Sequence, residues 1–427
     1  MMNLSRLSTI NTRIRALPLG LLTVVLLVAI SALFPRHAVQ DAVTYEPILE
    51  ATLRRPMGYL AMAPISNVLD TLTLLSVRQH IALLLTIIVA YVVWWWFVGR
   101  AVLTAVPANR RWLRELARLG VGLVVLVAVY VGATLMPRPM AALDAGADIV
   151  AIDFHAHTKF SHDGRWNWEP EDVRAWHRDA GYDVAYITDH RTFEGARAAW
   201  ANNSALSGEQ VVMLPGIEVV WRGEHVNVLD ADRTYRGLLN ETLRDIDDGS
   251  LKMASTLPGN EPVLIQTLPG DLSQVVAASG PGTAGVRAIE VVDGAPRGLG
   301  QTRRERQRIV HLADSTNLAL VAGSDSHGWG HAASGWTLMF VPQWRAMSPE
   351  QLATTISRAL RGGGRASTHV VERYVADTDE GALVPFTVPV VAWGMFRTLE
   401  GDERIMWLAW SAAIYLLWRF RRKRRVT

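Results

Sequence analysis

The 427-residue chain has no cysteine. That absence excludes disulfides, thiolate zinc sites and a cysteine nucleophile together. Lysine is almost missing: Lys159, Lys252 and Lys423 stand against 40 arginines. The formal net charge is only +3, too small for the strong positive field that nucleic acids require, so no nucleic-acid partner is expected. Charged residues make up 19% of the chain and hydrophobic ones 50%. That balance points toward apolar segments beyond those needed for a soluble core.

Those segments are visible. Residues 17–34, 81–98, 119–136 and 405–418 read as four membrane-spanning helices. The first reads as a retained anchor, because Pro35-Arg36-His37 makes a poor cleavage site for a leader. Trp94-Trp95-Trp96 suits a headgroup boundary. Arginines cluster at Arg6, Arg13 and Arg15, again between Arg100 and Arg118, and again between Arg419 and Arg425. With four spans all three clusters fall on one side, which the charge rule makes cytoplasmic. The sequence therefore divides into a membrane region (1–136), a catalytic-type domain (137–380) and a linker, last span and basic tail (381–427). The central domain is expected outside the cytoplasm, in a periplasm or at the cell surface of a bacterial-type inner or plasma membrane. Met57–Val77, which carries Pro64, Ser66, Asn67 and Asp70, reads as an interfacial helix. Leu383–Phe396, broken by Pro385 and Pro389, reads as an interfacial linker.

The chemistry lies in the central domain. Asp153-Phe-His155-Ala-His157-Thr158 follows the apolar run Ile149–Ile152, and Asp163-Gly164 comes soon after. Residues two apart on a strand share a face, so Asp153, His155 and His157 point together. Paired imidazoles with a nearby carboxylate suit a divalent transition metal. Three further apolar runs end the same way. Tyr182–Thr188 ends in Asp189-His190; Val211–Ile217 ends in Glu218, with His225 after a short turn; Leu318–Gly323 ends in Ser324-Asp325-Ser326-His327. Ligand-type side chains at successive carboxyl ends of strands are the arrangement of an α/β barrel site.

Taken as a set, His155-x-His157-Thr158, Asp163-Gly164, Thr188-Asp189-His190, Gly216-Ile217-Glu218 and Gly323-Ser324-Asp325-Ser326-His327 resemble the motifs of the PHP (polymerase and histidinol phosphatase) superfamily. The resemblance covers roughly residues 148 to 370. It implies a distorted seven-stranded β/α barrel, here inserted in a helical membrane anchor, that hydrolyses phosphate esters with Zn, Mn or Fe ions. Carried over by position, it implies one ion held by His155, His157, Glu218 and Asp325, and another held by Asp163, His190 and His327. Glu218 would bridge to a third with His225. The chain departs from the pattern at Leu268, which stands where a histidine is usual and cannot bind a metal. Two ions are therefore expected and a third is weakened; Gln266 is a poor substitute ligand.

Glu218, Asp325 and His327 are the expected catalytic centre, with Arg191 and Lys159 as candidate phosphate clamps. Asp153 and Asp189 are expected to orient imidazoles. The expected partner is a phosphorylated molecule outside the cytoplasm, and membrane tethering favours a lipid-linked one. Two other readings compete. An amidohydrolase-like hydrolase would want a lysine at a strand end, and none of the three lysines ends a buried strand. A decayed barrel serving as a ligand-binding or sensor module fits Leu268 but not the ligand-type residues at the other motif positions.

Overall fold

The computed structural model describes residues 4–99, 108–229, 245–246, 248, 263–279, 283–378 and 386–423. The chain divides into two compact units, Met1–His37 with Pro56–Arg138 and Val375–Thr427, and Ala38–Arg55 with Pro139–Tyr374.

The first unit is helical. Two of its helices, Val77–Phe97 and Trp112–Leu135, are long and apolar enough to cross a membrane. Their apolar side chains stay exposed; Ile88 is 57% and Val124 68% accessible. Four spans are not supported among the described residues. Pro18–Ser31 is a shorter apolar helix. The segment expected at 405–418 lies in the helix Gly401–Lys423, which begins with Asp402 and Glu403 and ends in basic residues. Met57–Val77 is no simple interfacial helix. It forms Met57–Ala61 and Ala63–Thr73 before the next helix starts at Val77, and its polar residues pair in the unit's interior. Asp70 meets Arg138 at 2.9 Å with both side chains about 1% accessible. Asn67 donates to Glu403 at 2.6 Å and accepts from the Trp407 indole at 2.9 Å. Buried polar groups are stable only when paired in this way. The linker expected at Leu383–Phe396 is instead helical over Thr387–Arg397. Pro389 falls in the first turn, where its missing N–H is not needed; residues 379–385 lie outside the described residues.

The second unit is mixed α/β. Its strands are β1 (Val39–Asp41), β2 (Ala51–Arg54), β3 (Ala142–Ala145), β4 (Ile149–Ala156), β5 (Val184–Ile187), β6 (Val212–Trp221), β7 (Glu224–Leu229), β8 (Asp245–Ile246), β9 (Val263–Gln266), β10 (Val286–Asp293), β11 (Ala319–Gly323), β12 (Gly335–Phe340) and β13 (His369–Arg373). Strands β2 and β3 pair apart from the rest. The large sheet runs β1-β13-β12-β4-β5-β6-β7-β9-β10-β11, with β8 beside β6. β4, β5 and β6 are parallel, as are β9, β10 and β11.

The sheet departs from uniform β/α alternation at β7, which turns back antiparallel against β6 and β9. A two-residue turn causes this. Arg222 and Gly223 both have positive φ, 54° and 84°, the tight hairpin geometry whose twist matches the flanking strands. At the other end the sheet curls back on itself into a half-barrel. The His157 amide donates to the Ser326 carbonyl at 3.0 Å, and the Asp325 amide to the His155 carbonyl at 2.8 Å. The exits of β4 and β11 therefore meet. Beneath this edge Ile152, Phe154, Tyr186, Leu214, Ile265 and Leu352 share one buried apolar cluster. Phe154 and Tyr186 stack within it at 5.3 Å. Burying such side chains contributes roughly 1.5–3 kcal/mol each, which fixes the strands that carry the polar edge.

Candidate metal centre

Strands β4, β6 and β7 and the segments that follow β4, β5 and β11 each deliver part of a dense carboxylate–imidazole cluster. His155 on β4 and His157 just past its end alternate with the buried Phe154 and Ala156 and so face the same way. Glu218 projects from the middle of β6. His225 on β7 faces Val220 across the hairpin, so it lies diagonally beside Glu218 on one face. His190 follows β5 and forms an isolated parallel bridge to Glu218. Asp325 follows β11 with φ of 45°, a left-handed conformation that aspartate tolerates better than most residues.

Glu218 is the hub. Its Oε2 lies 2.9 Å from His155 Nε2 and 3.3 Å from both His157 Nε2 and His190 Nε2. Its Oε1 lies 2.6 Å from His225 Nδ1. Asp325 Oδ1 lies 3.2 Å from His157 Nε2 and 3.4 Å from His155 Nε2. Asp163 Oδ2 reaches His327 Nε2 at 3.3 Å and His190 Nε2 at 3.6 Å. Three overlapping donor sets result, each with its ligand atoms within 4.8 Å of one another: His155 with His157 and Asp325, His157 with Asp163 and His190, and His190 with Glu218 and His225. The eight side chains singled out in the sequence as metal ligands come together in one cluster. The grouping differs from the positional carry-over, since His157 and His190 each belong to two sets.

The donor chemistry fits divalent cations. His157 is completely buried, and neither of its ring nitrogens has a hydrogen-bond partner. Unpaired buried polar atoms are rare because each forfeits about 1–3 kcal/mol. Here Nε2 faces two carboxylate oxygens, Glu218 Oε2 at 3.3 Å and Asp325 Oδ1 at 3.2 Å, an arrangement that calls for positive charge between the groups. The electrostatics agree. Burial alone would lower the pKa of His155, but Glu218, Asp325 and Glu290 outweigh it and hold that pKa well above the ordinary value. His157 is likewise lowered by burial and raised further by Asp325 and Glu218, to about 10. Glu218 is held well below the carboxylate range by its imidazoles despite its burial. His190 is pushed down to about 4, mainly by burial, leaving a neutral ring suited to ligation. The residues present therefore fit divalent metal binding by nitrogen and oxygen ligands.

Other groups hold the cluster in place. Glu290 is fully buried on β10 and lies 3.0 Å from His155 Nδ1, while its other oxygen accepts the Leu268 amide at 3.0 Å. Glu290 lies inside β10, and nothing local in the sequence distinguishes it as an orienting carboxylate. Asp153 does not orient a cluster imidazole. It lies 2.7 Å from His177 Nε2 and accepts the amides of His155 and Ser324. Asp189 is spent on Thr158, accepting from its amide at 2.6 Å and its hydroxyl at 2.7 Å. The two clamp candidates stand apart. Lys159 Nζ pairs with Glu169 at 2.6 Å, and Arg191 is exposed in a turn with φ of 60°. A third cation escaped the sequence reading. Arg165 stacks 4.9 Å from the Trp168 ring and 5.9 Å from Trp329, and its amide donates to the His327 carbonyl at 3.1 Å.

No family model matches the chain, and no curated protein matches it. Among solved structures, PsfC from Pseudomonas syringae is similar over 58% of this chain and 98% of its own, with 16% identity and a TM-score of 0.36. A two-domain protein from Bacteroides vulgatus, described as containing a predicted PHP-like metal-dependent phosphoesterase, covers 53% of this chain and 65% of its own, with 15% identity and a TM-score of 0.33. The lesion-specific endonuclease EndoQ from Pyrococcus furiosus covers 51% of this chain and 56% of its own, with 12% identity and a TM-score of 0.35. Overlaps this shallow do not assign a family; the side-chain cluster alone carries the chemistry.

Proposed function

We propose that the chain is a membrane-anchored phosphoesterase of the PHP type that depends on divalent metals. The observation that carries this reading is the convergence of His155, His157, His190, His225, Glu218 and Asp325, with donor atoms within 4.8 Å in each set and His157 left without a hydrogen-bond partner. Zinc, manganese or iron held there would act as Lewis acids toward a phosphate ester and its attacking water. The protein's own groups do the positioning. Glu290 accepts the His155 Nδ1 proton, which leaves Nε2 free to ligate. The Asp325 carbonyl lies 2.8 Å from His327 Nδ1 and fixes that ring's Nε2 toward Asp163. Glu218 can serve more than one ion through its two oxygens. Arg165 is a better placed candidate than Lys159 for the ester's negative charge, since Lys159 is already paired.

Anchoring rests on Val77–Phe97 and Trp112–Leu135. The arginines between those helices, Arg100, Arg110 and Arg111, favour a cytoplasmic connection, with the hydrolase unit that follows Trp112–Leu135 outside the cytoplasm. Esters met there include lipid-linked phosphates. The test is hydrolysis of mono- and diester substrates by the detergent-solubilised protein with Mn²⁺ or Zn²⁺. His155→Ala and Asp325→Ala are expected to abolish it, and unchanged rates in both would remove the assignment.

A further inference from the structure

A cleft of about 390 Å³ has Leu268, Leu272, Arg297, Arg308 and Ile309 among its walls. Its floor is tied to the metal centre at three points. The Leu268 amide donates to Glu290, whose other oxygen faces His155. Thr267 donates its amide and its hydroxyl to the His225 carbonyl, at 3.2 and 3.0 Å. The amides of Gly270 and Asp271 donate to Glu224, the residue before His225, at 3.0 and 2.9 Å.

The lining holds two arginines, Arg297 and Arg308, and two carboxylates, Asp271 and Glu305, and they differ in how far their hydrogen-bonding capacity is used. Both arginines are exposed, and among the described residues neither has an ion pair or side-chain hydrogen bond. The acids that share the lining are engaged elsewhere. Glu305 caps its own helix by accepting the Thr302 amide and hydroxyl at 2.8 Å each. Asp271 accepts the Ser273 amide and hydroxyl at 2.9 and 2.7 Å. The remaining walls, Leu268, Leu272 and Ile309, offer apolar surface to a carbon skeleton.

We propose that this cleft receives a second anionic group of the substrate, so that preferred esters carry a phosphate or carboxylate in addition to the scissile phosphate. This inference rests on the metal-phosphoesterase reading, with the scissile phosphate at the cluster and the distal anion between Arg297 and Arg308.

The test is calorimetric titration of the full-length, metal-loaded protein in detergent with hexylphosphonate and 6-phosphonohexanoate. The two probes match in length, and only the second carries a distal carboxylate. Wild-type protein is expected to bind the carboxylated probe about tenfold more tightly, the scale of one charged hydrogen bond. That advantage is expected to fall below about threefold in Arg297→Gln with Arg308→Gln, each single change giving part of the loss. Equal affinities in wild-type protein, or an advantage that survives the double change, would overturn the inference while leaving the metal site standing. Binding of neither phosphonate would remove the metal-centre reading and this inference together.

Discussion

Glu290 and His155, 135 positions apart in the chain, are joined at 3.0 Å inside the sheet, and the second Glu290 oxygen takes the Leu268 amide. The pair ties the cluster's first imidazole to the wall of the neighbouring cleft. It also makes Glu290 a positioning residue whose removal strands two buried donors. Glu290→Ala is therefore expected to weaken metal affinity by about 10–100-fold. Glu290→Gln should lose less, because its amide oxygen still accepts. Competition with a graded chelator measures both, and unchanged affinity in Glu290→Ala would show that His155 is oriented by other means.

Gly323 leaves the room that pair needs. A Cβ there would stand 2.5 Å from Glu290 Oε1 and 2.6 Å from the His155 Cβ. Gly323→Ala is expected to destabilise the unit by about 1–3 kcal/mol through overpacking and to weaken metal binding, although no ligand is altered. Thermal unfolding with and without added metal separates the two effects. A variant that binds metal as wild type does would contradict the close approach.

Glu218 touches four imidazoles. Glu218→Gln keeps its shape and removes its charge. Bound metal is expected to fall by at least one ion per chain, and kcat/KM by about 10²-fold or more. A full metal complement with wild-type turnover would refute its role as the hub.

Asp183 sets a pH dependence away from the cluster. Burial raises its pKa to about 6, although it accepts the Ala151 amide at 2.9 Å. An acid with a raised folded pKa holds its proton longer in the folded state than in the unfolded one. Stability from this group is therefore greatest below pH ~4 and falls as pH rises to ~6, by about 1–3 kcal/mol. Asp183→Asn should flatten that part of the profile, as read from unfolding midpoints between pH ~4 and ~7. A slope equal to wild type would contradict the assignment.

The cluster was legible because most of its ligands sit at or just past strand ends; Glu218 stands inside β6, which runs on to Trp221. The runs into Asp153, Asp189, Glu218 and Ser324 announced their strands by apolarity, and the polar residues after them fell at one rim. What the sequence hid depends on contacts distant in the chain. Nothing near Glu290 signals that it will meet His155, and nothing near Asp153 signals His177. The antiparallel return of β7 lay in the positive φ of Arg222 and Gly223, a turn that a parallel-barrel expectation passes over. In the helical unit, hydropathy located Val77–Phe97 and Trp112–Leu135 but overstated the carboxyl-terminal helix. The polar positions Asn67 and Asp70 looked interfacial only because Glu403, Trp407 and Arg138, their partners, lie far away in sequence.

The central claim is that these imidazoles and carboxylates hold cations. Metal content of the full-length protein, purified in detergent without chelators, tests it most directly by elemental mass spectrometry. About two or three divalent ions per chain are expected, with a marked loss in His157→Ala. A folded protein that carries no stoichiometric divalent metal, even after dialysis against Mn²⁺ or Zn²⁺, would contradict the account.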